Sequence, residues 1–151
     1  MNEEHVNVEQ GDSAYDCDSE WVETSGLGPC IGVAIVFNGH VSITHQHGAH
    51  ANAGYDDFCK EINELVPAAA RTSICPIVAG GQLGEDDPNE IMKDRNYVLS
   101  TISRLGFGSP QTLWCPDDAE SQTILINTVT KTALVEIDFE DAPAQEVILQ
   151  F

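Results

Sequence analysis

Basic residues are scarce in this chain. Lys and Arg together number 6 against 25 Asp and Glu, a formal charge of −19 over 151 residues. A surface so acidic repels phosphate backbones and anionic lipid, so nucleic-acid binding and membrane binding are not expected. Long apolar runs are also missing. The longest, Ile31–Phe37, is far shorter than the roughly 18 residues a spanning helix needs. Met1–Asp18 has no basic stretch followed by an apolar one, so it does not read as a secretory signal. Cys17, Cys30, Cys59, Cys75 and Cys115 form no CxxC pair, and their odd number and wide spacing argue against a disulfide framework and a zinc ribbon. Reduced thiols and a cytoplasmic place of synthesis are expected, with a signal-independent route of export or injection left open. Gly80-Gly81-Gln82-Leu83-Gly84 lacks the Lys-Ser/Thr ending of a phosphate loop.

What is present suits one globular domain. Hydrophobic residues make up 42% of the chain, too many for a disordered one. An acidic arm is expected over residues 1–19, solvated or added as an edge strand, followed by a single domain over 20–151. Ile31–Phe37 is continuous and β-branched, the pattern of a strand buried on both faces. Asn38-Gly39 is a hairpin turn signal. After it Val41, Ile43 and His45 alternate with Ser42 and Thr44. Tyr55–Arg71 has apolar residues at helical spacing, with Pro67 ending or kinking the helix near Val66. Ile74–Ala79 reads as a short strand. Asp86-Asp87-Pro88 opens a second helix, with Asp87 as N-cap and Glu90 completing a capping box; Gly106 closes it. Thr112–Cys115, Thr123–Asn127, Ala133–Ile137 and Val147–Phe151 read as further strands. Together they predict an α+β fold, a compact layered β-core with two flanking helices.

The chemistry concentrates in Thr24-Ser25-Gly26-Leu27-Gly28-Pro29-Cys30 and in His45 beyond the hairpin. Cys30 sits where a glycine turn enters a buried strand. Glycines there allow positive φ and let N–H groups point outward, where they can hold an oxyanion. The hairpin folds His45 back beside Cys30, which places a thiol next to an imidazole, the minimum for cysteine nucleophilic chemistry. An open pocket at that pair is the expectation. The plain alternative is a small buried hydrophobe and a satisfied core histidine. The other four cysteines lack such a turn and are read as structural.

The Thr24-x-Gly-Leu-Gly-x-Cys30 segment, followed by a hairpin and His45, resembles the chemoreceptor glutamine deamidases of bacterial chemotaxis, the CheD family. Pro76-Ile77-Val78-Ala79-Gly80-Gly81 resembles that family's strand ending in Gly-Gly. Asp94-Arg95-Asn96 resembles its G-x-R-N stretch. The hairpin over Thr123–Ile137 matches in place and length. Pro29 stands where the family has Ser, and Pro116-Asp117-Asp118-Ala119-Glu120 replaces its glycine-arginine segment. His47 keeps the family's sequence separation from the cysteine, whereas His45 keeps its strand position and shares a face with Val41 and Ile43, so His45 is chosen. The same arrangement is similar to the catalytic domain of cytotoxic necrotizing factor and to Burkholderia lethal factor. The resemblance implies a Cys-His-Thr triad of Cys30, His45 and Thr24. It implies cofactor-free hydrolysis of a protein glutamine side chain to glutamate and ammonia, on a chemoreceptor or on a host protein.

A competing signal overlaps the first. Thr44-His45-Gln46-His47-Gly48-Ala49-His50 resembles the T-H-x-H-x-D-H signature of metallo-β-lactamase-fold hydrolases. Ala49 replaces the aspartate, and all five histidines lie before residue 51. No metal site is therefore assigned. A non-catalytic acidic binding module with a His-rich metal-binding loop is the alternative function. The acidic clusters at Asp117-Asp118 and Glu136–Asp141 read mainly as solvated surface.

Overall fold

The computed structural model describes residues 5–84 and 87–151. Residues 1–4 of the expected acidic arm, and Asp86 of the expected helix entrance, lie outside the described residues.

Among the described residues, ten strands form two five-stranded sheets. In chain order they are β1 (His5–Asn7), β2 (Ser13–Cys17), β3 (Trp21–Leu27), β4 (Ile31–Phe37), β5 (His40–Gln46), β6 (Ile77–Gly80), β7 (Gln111–Trp114), β8 (Ser121–Asn127), β9 (Thr132–Asp138) and β10 (Gln145–Gln150). The first sheet runs β1-β3-β8-β9-β10 and the second β2-β5-β4-β6-β7. The helices are α1 (Ala53–Leu65), the single turn α2 (Ala68–Arg71) and α3 (Pro88–Arg104).

The layers follow from the side-chain pattern. Val22, Leu27, Ile124, Ile126, Ala133 and Val135 of the first sheet meet Ala34, Val41, Ile43, Ile77 and Ala79 of the second. On the second sheet's other face, Ile31, Val33, Ile35 and Val78 meet Tyr55, Phe58 and Ile62 of α1 and Val98 and Ile102 of α3. β4 is thus the middle strand of a sheet covered on both sides, which is why it is a continuous apolar run. β8 and β9 alternate because they face the core on one side only.

Local signals set the element ends. Asn38 and Gly39 take φ of +55° and +77° in the β4–β5 turn, the left-handed pair that a two-residue hairpin demands. The Asp87 side chain accepts from the Glu90 N–H at 3.3 Å, and Pro88 follows in the first turn of α3. No side-chain bond from Asn52 caps α1. Its packed face compensates: each of Tyr55, Phe58 and Ile62 contributes about 1.5–3 kcal/mol by burial, more than the ~1 kcal/mol of a cap.

Several expectations shift. Pro67 ends the first helix near Val66 as expected, α1 stopping at Leu65, but Ala69, counted on its apolar face, is exposed. The strand expected from Ile74 begins at Ile77. Ser42 and Thr44 are buried, because β2 adds to the edge of β5 and Ser13 bonds the Thr44 hydroxyl at 2.7 Å. His5–Asn7 and Ser13–Cys17 pair as edge strands of the two sheets. β6, α3 and β7 form a parallel crossover unit within an otherwise antiparallel second sheet. Among the described residues no helix is long and apolar enough to cross a membrane.

Candidate active site

The site starts from a bulge. β3 and β8 pair Thr24 with Ile124 but Leu27 with Gln122, so one extra residue is accommodated on β3. Gly26 lies within it at φ +73°, a conformation glycine adopts without steric cost. The chain then turns through Gly28 and Pro29 and crosses to the second sheet at Cys30. Thr24 is fully buried and faces the space between the sheets.

His45 comes from the opposite sheet. It pairs with Gly32 across the β4–β5 hairpin, so the two share a face. Cys30 lies two residues from Gly32 on that same face, which makes it the diagonal neighbour of His45. A Cβ at Gly32 would stand 2.9 Å from Leu27 Cδ1, so an added methyl there would press on the end of that side chain from the first sheet. The hairpin register sets His45 on the face of β5 that looks into the inter-sheet space, and Cys30 belongs to the same inter-sheet core.

Thr24 and His45 are bonded directly, Oγ1 to Nδ1 at 2.8 Å. The tautomer follows from the neighbouring contact. The Thr24 hydroxyl donates its only proton to the Val8 carbonyl at 2.6 Å. It must then accept from His45, which puts the imidazole proton on Nδ1 and leaves the Nε2 lone pair free. Nε2 is buried and has no hydrogen-bond partner among the described residues. A buried acceptor without a donor costs about 1–3 kcal/mol, so it calls for an explanation. The His45 backbone is fixed as well: its N–H donates to the Asp12 carbonyl at 3.2 Å, and its carbonyl accepts from the Gly11 N–H at 2.7 Å.

Behind Cys30 stands the Gly-Gly end of β6. The Gly81 N–H donates to the Cys30 carbonyl at 3.0 Å, and the Gly80 N–H to Gln122 Oε1 at 2.6 Å. Gln122 also donates through Nε2 to the Leu113 carbonyl at 3.0 Å. Gln82 ties the glycine turn to the acidic loop: its N–H donates to the Gly28 carbonyl at 2.9 Å, and its Nε2 donates to the Ala119 carbonyl at 2.6 Å. Arg95 donates through Nε to the Gly81 carbonyl at 2.7 Å and lies over Trp114.

Burial pushes the Cys30 thiol above its ordinary pKa, and the Asp94 carboxylate adds to that; its own backbone N–H pulls the other way. Burial holds the His45 imidazole below its ordinary value. Both shifts favour neutral forms, a thiol beside a neutral base rather than a preformed ion pair. Cys30 is only 6% exposed. His45 is 3% exposed, so among the described residues this pair is closed to solvent rather than lying at the expected open pocket. A cavity of about 560 Å³ lies instead at the other end of the sandwich, among Val36, Ile74, Ile77 and Lys131. Cys75, in contrast, is exposed. Alkylation at neutral pH is expected to label Cys75 first and Cys30 slowly, as peptide mapping of a timed iodoacetamide reaction will show.

The histidines of the 45–50 segment diverge. His45 points between the sheets and His47 is exposed. His50 is held by two α3 carboxylates: Nδ1 donates to Asp94, and Nε2 lies 2.9 Å from Glu90. Among the described residues no group of three His, Cys, Asp or Glu side chains is arranged to hold a metal ion. The hydrogen bond to Asp94 is the main reason His50 keeps its proton above the ordinary imidazole pKa. The stability that this pairing adds is complete below the unfolded pKa and is lost as the pH rises through the raised one. An NMR titration should give His50 a midpoint above that of free histidine, and Asp94→Asn should lower it.

The sequence pointed to Thr24, Cys30 and His45, and the fold gathers them at one end of the inter-sheet layer. It did not single out Val8 or Gln122. Gln122 carried a signal, a polar residue in register with the inward-facing Ile124 and Ile126. Val8 carried none, because a backbone carbonyl has no sequence signature. The chain matches no protein-family model and no curated protein.

Proposed function

We propose that this chain is a cysteine-dependent protein-glutamine deamidase with a CheD-like layered fold, related to the chemoreceptor deamidases and the deamidase toxins. Its partner is a protein substrate bearing a reactive glutamine. Cys30 is the nucleophile, His45 the base and acid, and Thr24 the group that orients His45. The observation that carries this reading is the buried His45 Nε2, a lone pair without a donor, set by the Thr24 bond on the face it shares with Cys30.

The reaction consumes the amide and one water. The Cys30 sulfur attacks the side-chain carbonyl carbon while its proton passes to His45 Nε2. The tetrahedral oxyanion collapses, and Nε2 returns the proton to the departing nitrogen, which leaves as ammonia. Water then attacks the thioester, giving a proton to Nε2. Glutamate forms, and Nε2 reprotonates the sulfur. No cofactor takes part. Because both groups rest neutral, proton transfer accompanies S–C bond formation. The low exposure of Cys30 means that the 26–29 turn moves before a glutamine reaches the sulfur.

The test is mass spectrometry of chemoreceptor and candidate host proteins incubated with wild type and with Cys30→Ala. Glutamine-to-glutamate conversion by wild type alone supports the proposal. Conversion that survives in Cys30→Ala, or that no candidate shows, overturns it.

A further inference from the structure

We infer that the cavity of about 560 Å³ binds a small amphipathic monoanion, a carboxylate carried on a hydrocarbon chain. Its volume falls within the roughly 300–1,000 Å³ of small-molecule pockets. Buried Ile77, half-buried Val36 and Ile74, and the more open Phe151 line it. Such walls suit a hydrocarbon chain. Exposed Cys75 belongs to the same lining.

The lining is unlike the rest of the chain in charge. Asp and Glu make up 25 of the 151 residues, yet neither lines the cavity. The sequence shows how this comes about. Residues 24–55, 65–84, 95–116, 121–135 and 147–151 contain no Asp or Glu, and every lining residue comes from one of these runs. The β4–β5 and β8–β9 turns, the segment before β6, the start of β7 and the end of β10 bring the runs together. An anion therefore finds no carboxylate in the wall. Physiological salt screens the more distant ones over about 8 Å.

Two cations add attraction. Lys131 lines the cavity and has no ion-pair partner among the described residues. It sits at φ +56°, where glycine or asparagine is the less costly residue. The turn thus carries a lysine against its backbone preference. Arg71 adjoins the wall that holds Cys75, since its carbonyl accepts from the Ile74 N–H at 3.0 Å. Its buried guanidinium donates to the carbonyls of Val66, Leu105 and Asn63 at 2.9, 3.0 and 2.9 Å. Among the described residues no carboxylate pairs with that charge. A single lysine in the wall matches one negative charge better than the roughly −2 of a phosphate monoester. The ligand's head then pairs with Lys131 and its tail lies along Val36, Ile74 and Ile77.

Protection of Cys75 from iodoacetamide in the full chain tests this, with decanoate below its micelle concentration as the probe. Decanoate should slow Cys75 labelling and saturate. Decyltrimethylammonium has the same tail and the opposite charge, and should need at least about tenfold more. Lys131→Glu turns attraction into repulsion and should weaken decanoate protection about tenfold, with an unchanged circular dichroism spectrum showing that the fold is intact. Lys131→Gln, which removes only the charge, should fall between. Cys75 labelling that decanoate leaves unchanged overturns the inference. So does equal protection by the cation, or full protection in both Lys131 variants. Faster labelling of every cysteine, the mark of a detergent unfolding the chain, overturns it too.

Discussion

His45→Ala is expected to lower glutamine hydrolysis by about 10²–10⁴-fold, the usual contribution of a positioned base and acid. Among the described residues, His45 Nε2 is the buried side-chain acceptor that lacks a donor, and it lies on the face it shares with Cys30. The pH profile should carry the same signature. Burial lowers the His45 pKa, so activity should rise through a midpoint below about 6.5 and be level at neutral pH. The raised Cys30 pKa should keep thiolate from appearing until well into the alkaline range. Stopped-time mass spectrometry of a glutamine substrate across pH measures both limbs. A rate in His45→Ala equal to wild type would remove the imidazole from the mechanism. Thr24→Ser should retain most activity and Thr24→Val should not, because serine alone can still accept from Nδ1.

Gly80→Ala is the substitution expected to cost most stability. A Cβ at residue 80 would lie 2.0 Å from the Cys30 carbonyl oxygen, a backbone atom that cannot rotate away, and Gly80 has φ +90°. The left-handed conformation alone costs an ordinary residue about 1–2 kcal/mol. Overpacking adds about 1–3 kcal/mol. Together these approach the low end of the 5–15 kcal/mol that holds a typical domain. Urea denaturation should show a large fall in midpoint, or failure to fold. Gly84→Ala is the control: Gly84 also has positive φ but meets nothing within 4 Å, so only the conformational part of the penalty applies.

Much of this was legible in the chain because it rests on short-range signals. Asn38-Gly39 marked the hairpin, and the hairpin placed His45. The unbroken run of Ile31–Phe37 marked the strand covered on both faces. Asp87-Pro88 and Gly106 bracketed α3. What escaped depends on pairings between distant segments. The strands at His5–Asn7 and Ser13–Cys17 carry little apolar signal of their own; β3 and β5 recruit them by backbone bonding. The closure over Cys30 also escaped, since the distance between two sheets is set by the Leu27 and Ile124 side chains packing onto the bare backbone at Gly32. Ala69 kept the helical spacing yet lies outside α1, because Pro67 overrides periodicity.

The bond between Thr24 and His45 joins residues from opposite sheets, and so it works as a gauge of the gap between them. Position 32 is where that gap can be wedged: the methyl of an alanine would press on Leu27. In the proposed deamidase such a variant is expected to stretch the hydroxyl–imidazole contact wherever the Leu27 side chain does not shift aside, and to lower activity while the chain stays folded. For that proposed chemistry the thickness of the oily layer, which no single side chain sets, is the dimension to hold.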